Sequence, residues 1–94
     1  MRIDFDPAKS AKNAQERDIP FDLAAKFEWA DAVFAEDVRN QYPERRFIAV
    51  GYLGGRLHVV CFTPIIGGIR IISMRKANER EAKAYGKAIA NDRS

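Results

Sequence analysis

Three segments in the second half of the chain are rich in β-branched and aromatic residues, at positions 45–53, 56–63 and 68–75. Such residues favour strands because their side chains pack well on a pleated surface. Gly54-Gly55 separates the first two segments, and Gly67-Gly68 stands where the third begins. Glycine accepts the positive φ angles that tight turns require. Three strands joined by two short turns predict an antiparallel meander.

The residues before the meander carry helix signals. A short apolar strand at 2–5 is followed by Asp6-Pro7, a pair that begins helices well. We expect this first helix to run to about Arg17 and to end before Ile19-Pro20. A second short helix is expected at 21–29.

The next segment, 31–37, is ambiguous, although Val33-Phe34 could begin a strand. A final helix is predicted from 77 to about 91, with Asn78 as its N-cap and Glu81 at the capping-box position. The pattern therefore predicts an α+β fold in which an antiparallel sheet is built on the meander. Two N-terminal helices and one C-terminal helix are expected to pack on one face of this sheet.

Strict alternation along a strand assigns each cationic side chain to one of the two faces of the sheet. On the last strand it places Ser73 and Arg75 on the face of Ile69 and Ile71, and Arg70 on the other face. Arg46 and Arg75 fall at strand ends, near the rim of the sheet, and Arg70 falls near a strand start. We expect these rim cations to form a cradle for a bent phosphodiester, with the start of the final helix lying over it.

Composition narrows the class of protein. The length of 94 residues fits a single domain, 1–94, and 47% apolar residues is an ordinary globular fraction. Residues 1–40 hold six Lys or Arg against nine Asp or Glu, whereas residues 41–94 hold ten against four. A basic second half suits contact with phosphate, although a merely solvated charged surface explains it too. No apolar run reaches the roughly 20 residues of a membrane span, and no signal peptide is recognisable, so we expect a cytoplasmic protein.

The available residue types restrict the chemistry. One Cys and one His cannot build a usual zinc site, so no metal and no cofactor are expected, and Cys61 is interpreted as a buried thiol. Metal-free RNA cleavage needs a proton acceptor for the ribose 2′-hydroxyl, a proton donor for the leaving oxygen and cations for the added charge. Arginine supplies only the charge. His58 has the most suitable chemistry but lies within an apolar strand, which favours a structural role. The candidate proton carriers are His58, Glu44, Lys9, Lys76, Tyr42 and Tyr85.

Several short motifs, in order along residues 5–85, together resemble the BrnT family, the toxins of bacterial type II toxin–antitoxin systems. The most specific is Ile69-Arg70-Ile71-Ile72-Ser73-Met74-Arg75-Lys76-Ala77; the others are Asp6-Pro7-Ala8-Lys9, Asn13, Ile19-Pro20-Phe21, Arg46-Phe47-Ile48-Ala49-Val50-Gly51, Phe62-Thr63, Glu81 and Tyr85. The resemblance implies a RelE-like fold, endoribonuclease activity, growth arrest and inhibition by a cognate BrnA-like antitoxin. That antitoxin has a ribbon-helix-helix part, through which alone operator DNA would be contacted.

Carried onto this chain, the resemblance implies two sets of site residues. The catalytic set is Arg46, Arg70, Arg75 and Tyr85, and the RNA-binding set is Lys9, Ser73 and Lys76. It assigns no proton-transfer role within either set.

Two departures from the family pattern separate the hypotheses. Glu16-Arg17-Asp18 stands where the family commonly has Lys-His-Gly, and Pro64-Ile65 stands where a basic residue often follows Thr63. The first replaces a possible proton carrier with an arginine, and the second removes a possible phosphate ligand. The leading hypothesis is an active RNA endonuclease. The alternatives are a non-catalytic subunit that binds the antitoxin and acts as a co-repressor, and a plain RNA-binding module.

Overall fold

The computed structural model describes residues 1–93 and shows a five-stranded sheet with an α-helix near each end of the chain. Among these residues, no helix is long and apolar enough to cross a membrane. Two 3₁₀ segments lie at Phe21–Lys26 and Trp29–Asp31. The other elements are β1 (Arg2–Phe5), α1 (Pro7–Arg17), β2 (Val33–Glu36), β3 (Phe47–Leu53), β4 (Arg56–Ile65), β5 (Gly68–Lys76) and α2 (Glu79–Arg93).

The sheet is mixed, and the expectation of a purely antiparallel sheet is wrong. The strand order is β1-β5-β4-β3-β2. Strands β3, β4 and β5 pair antiparallel in sequence, and β2 adds antiparallel to β3. Strand β1 lies parallel to β5, with Ile3 opposite Ile69. A Cβ atom on Gly68 would lie 1.8 Å from the carbonyl oxygen of Arg2, so only glycine fits beside the start of β1.

Helices cover both faces of the sheet, which corrects the prediction that they share one face. The apolar core lies on the face covered by the first 3₁₀ segment. There Phe21 and Phe27 belong to one buried cluster with Val60, Ile71 and Met74. Helix α2 lies on the opposite face. Its Tyr85 ring meets the ring of Tyr52 edge-on, with centroids 5.7 Å apart. Tyr52 lies on that face because it alternates with the core residue Leu53 along β3.

The second predicted helix is two short 3₁₀ segments because a tertiary contact interrupts it. The backbone becomes extended at Phe27, with ψ 138°. The next amide, of Glu28, donates to the carbonyl of Tyr52 in β3 at 2.9 Å. The Phe27 ring lies over Gly51, where a Cβ atom would come within 2.9 Å of it. The chain is therefore held against β3 at the point where a helix would have continued.

The predicted helix starts are confirmed by their capping bonds. The Asp6 side chain accepts from the amide of Ala8 at 2.9 Å. At the start of α2, the amide of Glu81 donates to the Asn78 side chain and the amide of Asn78 donates to the Glu81 carboxylate. This reciprocal pair is the capping box that the sequence predicts.

Helix α1 closes the edge of β5 that β1 leaves open. Strand β1 ends opposite Ile71, so the outer backbone groups of β5 beyond it have no partner strand. The Asn13 side chain donates to the carbonyls of Met74 and Ile19, at 3.0 and 2.7 Å, and Arg17 donates to the Met74 carbonyl at 3.3 Å. A buried amide side chain thus ties α1 to the sheet.

Candidate functional site

A β-bulge in β5 decides which side chains share a face. Ser73 lies opposite Cys61, but Ile71 lies opposite Phe62, so Ile72 is an extra residue in the ladder. The residues after the bulge change faces relative to those before it. The alternation predicted for this strand is therefore wrong, since Met74 rather than Arg75 joins Ile69 and Ile71 in the core.

The bulge brings Arg70, Ser73 and Arg75 onto one face of the sheet. They lie opposite Thr63, Cys61 and Val59, which alternate along β4 and so share a face. Arg46 joins them from the residue before β3, two positions from Ile48, which lies opposite Cys61. We call this surface the arginine face, defined by Arg46, Arg70, Ser73 and Arg75. The sequence analysis expects the three arginines to form one cradle, and the structure places them on the same face, together with Ser73, for a reason that strict alternation missed.

Arg75 is held by a two-point ion pair. Two of its guanidinium nitrogens donate to the Glu81 carboxylate at 2.8 and 2.7 Å. This pairing lowers the pKa of Glu81 from its ordinary 4.5 to about 2, against the opposing effect of burial. The Glu81 carboxylate also accepts from the Asn78 amide in the capping box, so one carboxylate both fixes the start of α2 and holds Arg75 on the arginine face.

Arg46 is positioned by an aromatic ring. Its guanidinium lies 4.0 Å from the centroid of the Tyr42 ring, a cation–π contact, and its Nε donates to Glu44 at 3.2 Å. The Tyr42 hydroxyl donates to the carboxylate of Asp37 at 3.3 Å. The loop between β2 and β3 therefore fixes the direction in which Arg46 projects.

Arg70 pairs across the sheet with β1. It donates to the Asp4 carboxylate at 2.8 Å, and the two residues lie opposite each other in the parallel ladder. Each of the three arginines thus holds one carboxylate: Asp4, Glu44 or Glu81. A guanidinium has five N–H donors, so each retains donors for a phosphate oxygen.

Arg39 is a fourth arginine near this face that sequence reasoning missed. It binds both carboxylate oxygens of Asp37, at 2.9 and 3.0 Å, and lowers the pKa of that carboxyl to about 2. Its positive charge also acts to lower the pKa of Arg75 and the pKa of the Cys61 thiol. It lies in an irregular loop without periodicity, and only the Asp-x-Arg spacing could have indicated a local turn that orients it.

The remaining predicted site residues do not all gather at the arginine face. Lys76 falls on the opposite face, because it lies opposite His58 after the bulge. Lys9 lines a groove of about 370 Å³ between α1 and the edge of β5, and Ser73 lines its other side. The Tyr85 hydroxyl donates to the carbonyl of Asp31 at 2.9 Å, which ties α2 to the segment before β2.

Two further titratable side chains, His58 and Cys61, are wholly or partly buried. His58 is buried on the core face, and its Nδ1 donates to the carbonyl of Arg56 at 2.8 Å. Cys61 is half-buried, and burial raises the pKa of its thiol. Within residues 1–93 no three His, Cys, Asp or Glu side chains gather closely enough to hold a metal ion.

This small basic α+β domain thus carries four arginines at one partly open sheet face, an arrangement suited to binding phosphate groups. Comparison with known families identifies the class of protein. The model of the ribonuclease toxin, BrnT, of type II toxin–antitoxin systems matches residues 5–81. The chain belongs to this family of ribonuclease toxins. A search of curated proteins gave no match.

Proposed function

We propose that this protein is an active endoribonuclease that cuts RNA at the arginine face without a metal ion. The observation that carries the proposal is the bulge at Ile72, which sets Arg70, Ser73 and Arg75 on the same face as Arg46. Planar guanidinium groups give paired hydrogen bonds to phosphate oxygens, and four of them lie close to this surface.

The chemistry needs only the RNA, water and side chains of this chain. The ribose 2′-hydroxyl gives its proton to a carboxylate and its oxygen attacks the neighbouring phosphorus, and the bond to the 5′-oxygen of the next nucleotide breaks as that oxygen takes a proton from water. The products are a 2′,3′-cyclic phosphate and a free 5′-hydroxyl. Arg46, Arg70 and Arg75 stabilise the charge that accumulates on the phosphate oxygens between these steps.

Glu44 is the carboxylate that we assign as proton acceptor. It lies beside Arg46, where a bound phosphate would meet it. Glu81 is less suited, because Arg75 holds its pKa near 2 and so weakens it as a base at neutral pH. His58 lies on the other side of the sheet and cannot reach the same phosphate.

We further propose that a small antitoxin of the ribbon-helix-helix type stops the reaction by covering the arginine face. Membership of a type II toxin–antitoxin family supports an antitoxin partner. An acidic or apolar segment laid over Arg70 and Arg75 would exclude RNA by competition and by charge. Operator DNA would be contacted through the antitoxin alone.

A second candidate function is a non-catalytic subunit that binds the antitoxin. One observation favours it: every arginine at this face is already paired with a carboxylate, Arg39 with Asp37 included. In addition, Arg17, which replaces the family's histidine, donates to the Met74 carbonyl and so has a structural role.

Controlled expression with and without the antitoxin separates the two candidates. An active nuclease arrests growth and degrades RNA when expressed alone, and the purified chain cuts RNA in excess EDTA. Harmless expression of a folded chain, together with tight antitoxin binding, would establish the second candidate instead.

A further inference from the structure

A second groove lies on the core-face side of the sheet, away from the arginine face. It measures about 310 Å³, which is at the lower end of the range for small-molecule sites. Arg17, Lys26 and Lys76 supply three cations to its lining, and Leu23 and Leu53 supply apolar surface. Its lining also includes His58, and we call it the His58 groove.

His58 gives this groove a directed polar group. The side chain is 6% exposed. Its Nδ1 lies 2.8 Å from the carbonyl oxygen of Arg56, and because a carbonyl only accepts, Nδ1 carries the proton. Nε2 is then the ring atom that is left to meet a ligand. In the neutral ring it accepts a hydrogen bond, and in the charged ring it donates one.

The His58 groove continues into the groove beside α1. Arg17 lines both grooves. The groove beside α1 adds Lys9 and Lys12, and its far wall is Ser73, which lies on the arginine face. A path lined by more cations than carboxylates thus runs around the edge of β5 from one face of the sheet to the other, with Glu16 and Asp18 as the carboxylates along it.

We propose that the His58 groove binds one nucleotide of a single-stranded RNA whose chain follows this path to the arginine face. The base lies on the leucine surface with its polar edge at Nε2 of His58, and the flanking phosphates meet Arg17, Lys26 and Lys76. A nucleotide fits the mixed lining better than a bare anion does, because a bare anion makes no use of the apolar surface. The proposal rests on the proposed function in one respect only, that RNA is the ligand.

The single histidine makes the test direct. His58 is the one histidine of the chain, so its ring signals in ¹H–¹⁵N NMR spectra need no assignment among others. A 2′-O-methyl oligonucleotide serves as the probe because it cannot be cut, and uridine monophosphate and inorganic phosphate are added separately. We expect the ring signals to shift with the oligonucleotide and with the mononucleotide, and to shift much less with phosphate.

Paired variants measure the contribution of the cations. The double variant Lys26→Ala/Lys76→Ala is compared with Lys83→Ala/Lys87→Ala, which removes two exposed lysines from α2. We expect the first pair to weaken oligonucleotide binding about tenfold and to reduce the salt slope by about 1.4, at roughly 0.7 per lost phosphate contact on a single strand. The second pair should bind like the unchanged protein.

The outcomes separate this inference from the proposed function. If backbone signals near Arg70 and Arg75 shift with the oligonucleotide while the His58 ring signals do not, the groove is not part of the RNA path and the proposed function stands. If no signal shifts, both fail. If phosphate shifts the ring signals as far as the mononucleotide does, the assignment to a nucleotide is wrong. Equal affinities of the two double variants would also overturn it.

Discussion

Replacing Arg75 by alanine is the most direct test of the arginine face. The change removes a guanidinium that makes two hydrogen bonds to Glu81, at 2.8 and 2.7 Å. Loss of one donor to a developing phosphate charge typically costs on the order of 10²–10³ in rate. The change also leaves Glu81 as an anion without Arg75 beside it, and its repulsion of phosphate adds to the loss. We therefore expect at least a hundredfold slower cleavage and no growth arrest.

The same change should affect stability little. The side chains of Arg75 and Glu81 are 41% and 26% exposed, and ion pairs with such access to water contribute about 1 kcal/mol or less. Arg75→Ala should therefore stay folded, and it should keep most of its antitoxin binding because Arg46 and Arg70 remain in the surface that the antitoxin covers. Thermal melts of each variant establish this point before any rate is interpreted.

The assay is single-turnover cleavage with protein in excess over RNA, run beside growth curves after induction. Arg56→Ala is the matched control, because it removes an exposed arginine that lies opposite the core residue Leu53 and so projects from the other face of the sheet than Arg75 does. Arg75→Lys keeps the positive charge but not the paired hydrogen bonds, so its cleavage rate should fall between the rates of Arg75→Ala and Arg56→Ala. Glu81→Gln keeps a capping-box residue and removes the competing anion, so RNA binding should tighten a few-fold.

The reasoning is refuted if folded Arg75→Ala cuts within threefold of the unchanged protein while Arg56→Ala does the same. Arg75 would then serve only to fix the start of α2. A complete loss in Arg56→Ala would refute it differently, by moving the site to the hairpin end of the sheet.

Four further outcomes are expected. Cleavage should persist in excess EDTA, and loss of activity that added Mg²⁺ restores would contradict the metal-free mechanism. In thermal melts, Gly68→Ala should destabilise the protein by about 1–3 kcal/mol or more, because the new Cβ atom would clash with Arg2. Gly86→Ala in α2 should stabilise the protein by about 0.5–1 kcal/mol, because a Cβ atom there meets nothing within 4 Å. The pKa values of Asp37 and Glu81 are lowered to about 2. The stability that these two carboxylates contribute is therefore complete above their ordinary pKa values, and it is lost as the pH falls from about 4.5 towards 2. Acid titration of Arg75→Ala should lack the part of this loss that is due to Glu81. His58→Gln should raise the RNA concentration needed for half-maximal rate but change the rate at saturating RNA far less than Arg75→Ala does.

Local signals in the sequence predicted the elements well because their causes are local. Asp6 before Pro7 and Asn78 before Glu81 mark the two helix starts, and the structure shows the capping bonds that these residues make. The Gly54-Gly55 turn joins β3 to β4 with both glycines at positive φ, and the strands of 45–75 pair antiparallel with their ends shifted by at most two residues. Each of these features depends on residues within a few positions of one another.

Long-range contacts explain what the sequence did not predict. The parallel pairing of β1 with β5 joins residues more than 60 positions apart, and its only local sign is the second glycine of Gly67-Gly68. The 3₁₀ segments replace a helix because Phe27 and Glu28 contact β3. The family resemblance implies that Lys76 binds RNA together with Ser73, yet Lys76 follows Arg75 directly on the strand and so points to the opposite face, where it lines the His58 groove.

The bulge in β5 links the core and the candidate site so closely that neither can change alone. Without Ile72, Arg75 would enter the core and Met74, which is 0% exposed, would join the arginine face. The sequence does carry a trace of this arrangement. The core residues Ile69, Ile71 and Met74 are spaced by two and then by three, whereas the polar residues Arg70, Ser73 and Arg75 are spaced by three and then by two. A strand in which the apolar and polar series both slip by one residue at the same place contains a bulge, because only an extra residue keeps both series on their own faces. The feature that aligns the arginines on one face is therefore the same one that keeps the core apolar, which explains how so small a domain can maintain both.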